Sequence, residues 1–201
     1  MPLMSKYEDN YFELAIVDPP YGILSKMGDR LDKYSSEEGG KEHRDWDSQI
    51  PTDDYFKELQ RISKNQIIWG GNYFPYLWKD GCKGFIFWYK HQPIKNWAAG
   101  ELAWTSFNKP AMCFDYMSYG GVNQDRGRFH PTQKPVSLYE FCLMEYAKEG
   151  DKILDTHLGS GSIAKACHNL GYSLTACEIN TRYFEQSLKE LEYHKQQLRM
   201  F

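Results

Sequence analysis

The sequence predicts an α/β protein built on a doubly wound, mainly parallel sheet. Three observations predict it. Short apolar runs recur along the 201 residues, and stretches of helical period separate them. The runs themselves are continuously apolar rather than alternating, as expected of strands buried on both faces.

In chain order, the first strand is LAIV at 14–17, which must stop at Asp18 because Pro19 and Pro20 cannot continue a central strand. Residues 24–50 are polar, charged and without period, which predicts a mobile loop following the first strand. Thr52 then caps a helix with Asp53 and Asp54 in its first turn and Phe56, Leu59 and Ile62 along one stripe. Strands follow at 66–69, 84–89, 102–107 and 112–116. Pro135 opens a second helix running to about Lys148, with Leu138, Phe141 and Cys142 facing inward. A strand at 153–158, a helix from Ser162 to Leu170 stopped by Gly171, and a strand at 174–179 come next. The last helix, 181–199, places Phe184, Leu188, Leu191 and Leu198 on one face. No repeat is present, and the length suits one domain over residues 1–201.

Composition narrows the class without choosing the function. No apolar run approaches the ~18 residues of a membrane span, and the N-terminus has no signal-peptide core, so a cytoplasmic protein with no membrane partner is expected. Five cysteines, odd in number and without a CxxC pair, fit reduced thiols buried as small hydrophobes. The histidines lack zinc-ligand spacing, which predicts no metal. Residues 1–60 carry 7 basic and 14 acidic side chains, whereas 61–150 carry 11 and 7. That basic, aromatic-rich middle is suited to nucleic acid. A solvated surface over an aromatic core would have the same composition.

Two motifs carry chemistry. In KILDTHLGSGSIAKACHNLGYSLTACEIN, 152–180, a strand leads into Gly159-x-Gly161-x-x-Ala164, a helix, and a second strand ending near Glu178. This is the weak dinucleotide fingerprint, and Glu178 falls where a carboxylate holds ribose hydroxyls. A purely structural turn has the same pattern. Asp155, four residues before Gly159, would repel a pyrophosphate and suits a cationic or zwitterionic ligand such as S-adenosylmethionine. The second motif is Asp18-Pro19-Pro20-Tyr21, at a strand's carboxyl end. The exocyclic N6 of adenine is a poor nucleophile because its lone pair is delocalised into the ring. Asp18 can accept one of its N–H bonds, and the Pro19 carbonyl, held in direction by Pro20, can accept the other. Tyr21 offers a flat face for a base extruded from a duplex.

With HPTQKP at 130–135, IIWGGNYF at 67–74 and CEINTRY at 177–183, these motifs resemble the amino-methyltransferases of DNA. The order, DPPY before the glycine loop, is that of the permuted β group, and the small size is that of phage- or prophage-type DNA methylases. The resemblance implies a Rossmann-like, circularly permuted S-adenosylmethionine-dependent methyltransferase fold, with S-adenosylhomocysteine as product and a place in restriction-modification chemistry. It implies transfer to adenine N6, because Asp rather than Ser opens the motif. By matching position it assigns the target base to Asp18, Pro19, Pro20 and Tyr21. The cofactor falls to Asp155, His157, Leu158, Gly159, Ser160, Gly161 and Glu178, with Thr132 and Lys134 closing the pocket and the lysine suited to the methionine carboxylate. DNA with a flipped adenine is the implied partner.

Three departures stand out. Asp155-Thr156-His157 replaces the usual Asp-Pro-Phe, and His157 reads as a packing substitution rather than a titrating group. Only 17 residues precede DPPY, so part of the adenine pocket is expected either to be missing or to be supplied by Met4 and Ser5. Only 91–129 is available as a small target-recognition region, with Arg126 and Arg128 as candidate phosphate or guanine contacts, although with Gly127 they equally suit a solvated turn. So small a reader implies a short target site, or else a homodimer or another partner completing the DNA grip. An RNA adenine methyltransferase and a non-catalytic nucleic-acid-binding subunit are the alternatives.

Overall fold

The computed structural model describes residues 3–23, 47–95, 98–117, 129–130 and 132–197. Seven strands form one sheet: β1 (Phe12–Val17), β2 (Ser63–Trp69), β3 (Phe85–Tyr89), β4 (Gly100–Thr105), β5 (Met112–Asp115), β6 (Lys152–Asp155) and β7 (Ser173–Ala176). Their spatial order is β5-β3-β4-β2-β1-β6-β7. All pairings are parallel except those of β4, which runs against both β2 and β3. The mainly parallel doubly wound sheet is therefore present, with one reversed strand. Because β4 is reversed, its first residues lie at the edge where the other strands end.

Period-two alternation explains the continuous apolar runs. Leu14 and Ile16 of β1 pack with Ile67, Trp69 and Ile153 beneath the helices α2 (Val136–Tyr146) and α3 (Ser162–Leu170). Ala15 and Val17 point the other way, joining Ile68 and Leu154 beneath α1 (Asp53–Ile62). Phe12, Leu14, Ile16, Ile67 and Ile68 are all fully buried, and each such side chain contributes roughly 1.5–3 kcal/mol by leaving water.

The connections place the ligand edge. The chain passes from β1 through α1 to its neighbour β2, and from β6 through α3 to β7 on the opposite side. The winding direction thus reverses between β1 and β6. In open α/β sheets the crevice beyond the strand ends at that reversal is where ligands bind.

Several expectations are corrected in detail. Residues 156–158 and 177–179 have left the strands by the time they reach this edge, and α2 ends at Tyr146, two residues short of Lys148. Thr52 occupies the cap position of α1 without a side-chain hydrogen bond. The last helix, α4 (Thr181–Gln196), is rotated from its expected orientation: Tyr183 and Ser187 are buried, while Phe184 and Leu188 are 38% and 44% exposed. The reason is close approach. A Cβ built on Gly161 would sit 3.0 Å from the Ser187 Cβ, so only a small residue on α4 can face that turn. Of the free cysteines only Cys142 and Cys167 are buried, and Cys113 is exposed on edge strand β5. Residues 24–46 of the expected loop, residues 96–97 and 118–128 of the expected reader, and with them Arg126 and Arg128, lie outside the described residues.

Candidate active site

Asp18 leaves β1 and Asp155 ends β6, and these are neighbouring parallel strands in register at Leu14–Ile153 and Ala15–Leu154. Two motifs more than 130 residues apart in sequence therefore meet across one strand spacing, at the reversal point.

The DPPY turn is held by charge. Lys134 Nζ donates to Asp18 Oδ2 at 2.5 Å and to the Tyr21 hydroxyl at 3.1 Å, and lies 3.1 Å from Glu101 Oε2. The Tyr21 hydroxyl donates to Asp18 Oδ1, and Lys90 pairs with the other oxygen of Glu101. The result is an alternating row of Asp18, Lys134, Glu101 and Lys90. Burial raises the Asp18 carboxyl, Lys134 opposes that rise and Glu101 adds to it. Burial works against the lysine charge, but the two carboxylates outweigh it and raise Lys134. Burial also acts to raise Glu101, yet its two lysines bring it down to about 2.

The Tyr21 ring is seated by Gly70. This glycine has φ +69°, and a Cβ there would run into the ring. Tyr73 stacks on Tyr21 with centroids 5.0 Å apart and planes 16° apart, and Phe74 meets it edge-on. Beyond the ring, the carboxylate of Asp47 accepts the main-chain N–H groups of Tyr21, Gly22 and Ile23 at 2.5, 2.8 and 3.0 Å.

The glycine turn is built differently. Gly159 and Gly161 adopt φ of +52° and +74°, the left-handed region that favours glycine. Glu178 joins this turn to the tip of β7, its two carboxylate oxygens accepting from the Gly159 and Asn180 N–H groups at 2.8 and 2.9 Å. Ser160 is buried with its hydroxyl 3.1 Å from that of Ser162. Leu158 is buried in the core beneath α3. Asp155 is buried and accepts the His157 N–H at 2.8 Å; among the described residues no lysine, arginine or histidine forms an ion pair with it. Burial pushes its carboxyl up to about 8, the His157 hydrogen bond opposing. His157 is pushed down to about 4 by burial, which keeps it neutral near pH 7. Its Nδ1 lies 3.0 Å from the Thr156 hydroxyl, and its ring packs edge-on against Tyr55.

The segment leading into α2 divides between the two turns. Lys134 belongs to the Asp18 cluster. His130, buried against Tyr183 and 3.2 Å from the Thr132 hydroxyl, lies beside Gly159. Thr132 thus reaches the glycine turn through His130. The sequence reading missed Glu101, Lys90, Asp47, Tyr73 and His130. Glu101 and Lys90 border apolar strands as lone charges, and nothing within a single sequence pairs them. Among the described residues, no group of three or more His, Cys, Asp or Glu could hold a metal ion, and no helix is long and apolar enough to cross a membrane.

The chain is similar to the type II methyltransferase M.HpaI of Haemophilus parainfluenzae, 25% identical over 228 residues that cover 94% of this chain and 71% of that protein. It spans 65% and 62% of two further type II methyltransferases. Among solved structures, the M1.HpyAVI–SAM complex shares its fold at a TM-score of 0.63, with 20% identity, 94% of this chain covered and 92% of that one. The cytosine-N4-specific PvuII DNA methyltransferase does so at 0.60, with 11% identity, 96% and 87% covered. Residues 66–189, more than half of the chain, match the family N6_N4_Mtase, described as DNA methylase. The chain belongs to this DNA methylase family.

Proposed function

We propose that this protein transfers a methyl group from S-adenosylmethionine to the exocyclic N6 of adenine in DNA. The observation that carries the reading is the meeting of the DPPY turn and the glycine turn on adjacent strands, at the point where the sheet's winding reverses.

The cofactor fits the residues present. Gly159 and Gly161 let the backbone approach a ligand closely, Glu178 stands at the strand tip for the ribose, and the buried Asp155 carboxyl calls for a positive group. When bound, S-adenosylmethionine supplies a methyl group already activated on a sulfonium. The chain's own work is then positioning. Asp18 accepts an N6–H bond and the Pro19 carbonyl accepts the other, which frees the lone pair for attack. Asp18, raised by burial, is suited to take up the proton that N6 sheds. The Tyr21 ring supports the base once Tyr73, which stacks on that ring in this structure, gives way to it. Lys134 keeps the Asp18 carboxylate oriented, a role distinct from binding a methionine carboxylate, since its ammonium already donates to Asp18 and Tyr21 and lies 3.1 Å from Glu101 Oε2.

The test is incubation with methyl-labelled S-adenosylmethionine and duplex DNA, single-stranded DNA or RNA, followed by nucleoside analysis. Label in N6-methyladenine from DNA is expected. Label in N4-methylcytosine overturns the base assignment, label in RNA alone overturns the substrate, and no label overturns the activity.

A further inference from the structure

The prolines of the DPPY turn account for only its first part. Pro19 and Pro20 restrict residues 18–20, but they leave the chain beyond Pro20 free to rotate. Beyond them the backbone passes through Gly22 at φ +68°, a left-handed residue in a turn that gathers successive N–H groups into one concavity. The carboxylate in that concavity belongs to Asp47, 24 to 26 positions away in sequence. It is 2% exposed, and such a buried charge is tolerated only when hydrogen bonds satisfy it. Ile50 closes the same contact, its Cγ2 and main-chain N each 3.4 Å from where a Gly22 Cβ would stand.

The hydrogen bond to Tyr21 is the consequential one. A peptide unit is planar, so directing the Tyr21 N–H at Asp47 fixes the Pro20–Tyr21 plane and the bond from which the Tyr21 side chain departs. That side chain has to satisfy two contacts at once: its hydroxyl meets Asp18 and its ring lies between Gly70 and Tyr73. We propose that Asp47 is a positioning residue for methyl transfer. It holds residues 21–23 so that Tyr21 presents its ring and hydroxyl in register with Asp18. This rests on the reading of Asp18 and Tyr21 as the base-holding residues.

The experiment compares the full-length wild type with Asp47→Asn and with Gly22→Ala, which attacks the same contact from the opposite side. Three quantities are read: kcat on unmethylated duplex DNA, affinity for S-adenosylmethionine, and the 19F resonance of 3-fluorotyrosine incorporated at Tyr21. A displacement of about 1 Å at a reacting group lowers turnover about 10²-fold, and a loss of that order in kcat is expected with cofactor affinity unchanged. The Tyr21 resonance is expected to be single in the wild type and to broaden or divide in both variants. An unaltered resonance overturns the proposal even where methylation is confirmed. So does a parallel fall of kcat, cofactor affinity and melting temperature, the mark of a clip that only stabilises the fold. If the wild type methylates no DNA while the resonance still responds, the functional reading fails and the positioning of Tyr21 stands.

Discussion

Two carboxylates end neighbouring strands of this sheet and solve burial in opposite ways. Asp18 has its own lysine, and Lys134 is itself shared with Glu101, so positive and negative groups alternate through the turn. Asp155 has a main-chain N–H and no ion-pair partner among the described residues, and its carboxyl rises to about 8. The backbone differs as well: two prolines follow Asp18 before the left-handed Gly22, whereas two left-handed glycines, Gly159 and Gly161, follow Asp155. A group that must accept hydrogen bonds from a neutral amine needs its direction set within the protein. A group that receives a cationic ligand can leave its countercharge to that ligand. In this reading the first turn is complete in the free protein and the second is completed by the cofactor.

The largest break in this comparison is Asp18→Ala. Removing a preorganised hydrogen-bonding group at a reacting centre costs about 10²–10³-fold in turnover, and a loss at the upper end is expected here. Affinity for S-adenosylmethionine should stay close to that of the wild type, measured by calorimetry. A large loss of cofactor affinity would contradict the division between the turns.

Lys134→Met comes next. It leaves Asp18 and Glu101 facing each other with the intervening cation gone, and removing one member of a buried ionic cluster costs about 3–5 kcal/mol. The melting temperature should fall steeply and turnover with it. If Lys134 instead served mainly the methionine carboxylate, cofactor affinity would weaken while stability and kcat were spared.

Asp155 gives a smaller, pH-dependent effect. Below about pH 8 the buried carboxyl keeps its proton, and a cationic ligand must drive that proton off. Each pH unit is worth about 1.4 kcal/mol, so affinity should rise by up to tenfold per unit between pH 6 and 8, with proton release seen by calorimetry in buffers of different ionisation enthalpy. In Asp155→Asn the slope should vanish. Without ligand the sign for stability is the reverse: the folded protein retains a proton that the unfolded chain gives up near 3.8, so stability falls as pH rises from there to about 8.

How far these features could be read from sequence depends on whether they are local. The run LAIV into two prolines, and the glycines before Ser162, set strand ends and turn shapes through nearest neighbours, and the structure keeps them. The rotation of α4 was not readable, because it depends on Ser187 meeting Gly161 across the fold rather than on the apolar spacing of Phe184 and Leu188. Lys134 is legible as a residue of the motif that enters α2, but its contacts with Asp18 and Glu101 are not. Its partner Glu101 begins the one reversed strand, and a strand's direction is a property of the sheet that its own residues do not express. Asp47 sat within a stretch that reads as loop, and only its distant amide partners distinguish it from the acids around it.

The smallest effect is expected at His157, within the Asp155 turn. Its ring is neutral from pH 6 to 8, packs edge-on to Tyr55 at 5.4 Å, and its single Nδ1 site is shared between the Thr156 and Tyr55 hydroxyls at 3.0 and 3.5 Å. In His157→Phe the ring contact is kept. Thr156 retains its 2.7 Å hydrogen bond to the Tyr55 hydroxyl, so no buried hydroxyl is orphaned. The cost is then that of one ordinary hydrogen bond, about 0.5–1.5 kcal/mol, with cofactor affinity and the pH profile of turnover unchanged between 6 and 8. Acid behaviour should differ in a defined direction. His157 falls from 6.5 to about 4 on folding, so the unfolded wild type binds the extra proton in that window, and wild-type stability is lost as pH drops through it. The phenylalanine variant lacks this contribution, and its melting temperature should decline less between pH 6.5 and 4. A shifted pH optimum for methylation in His157→Phe would instead place a titrating histidine in the reaction and overturn its role as packing.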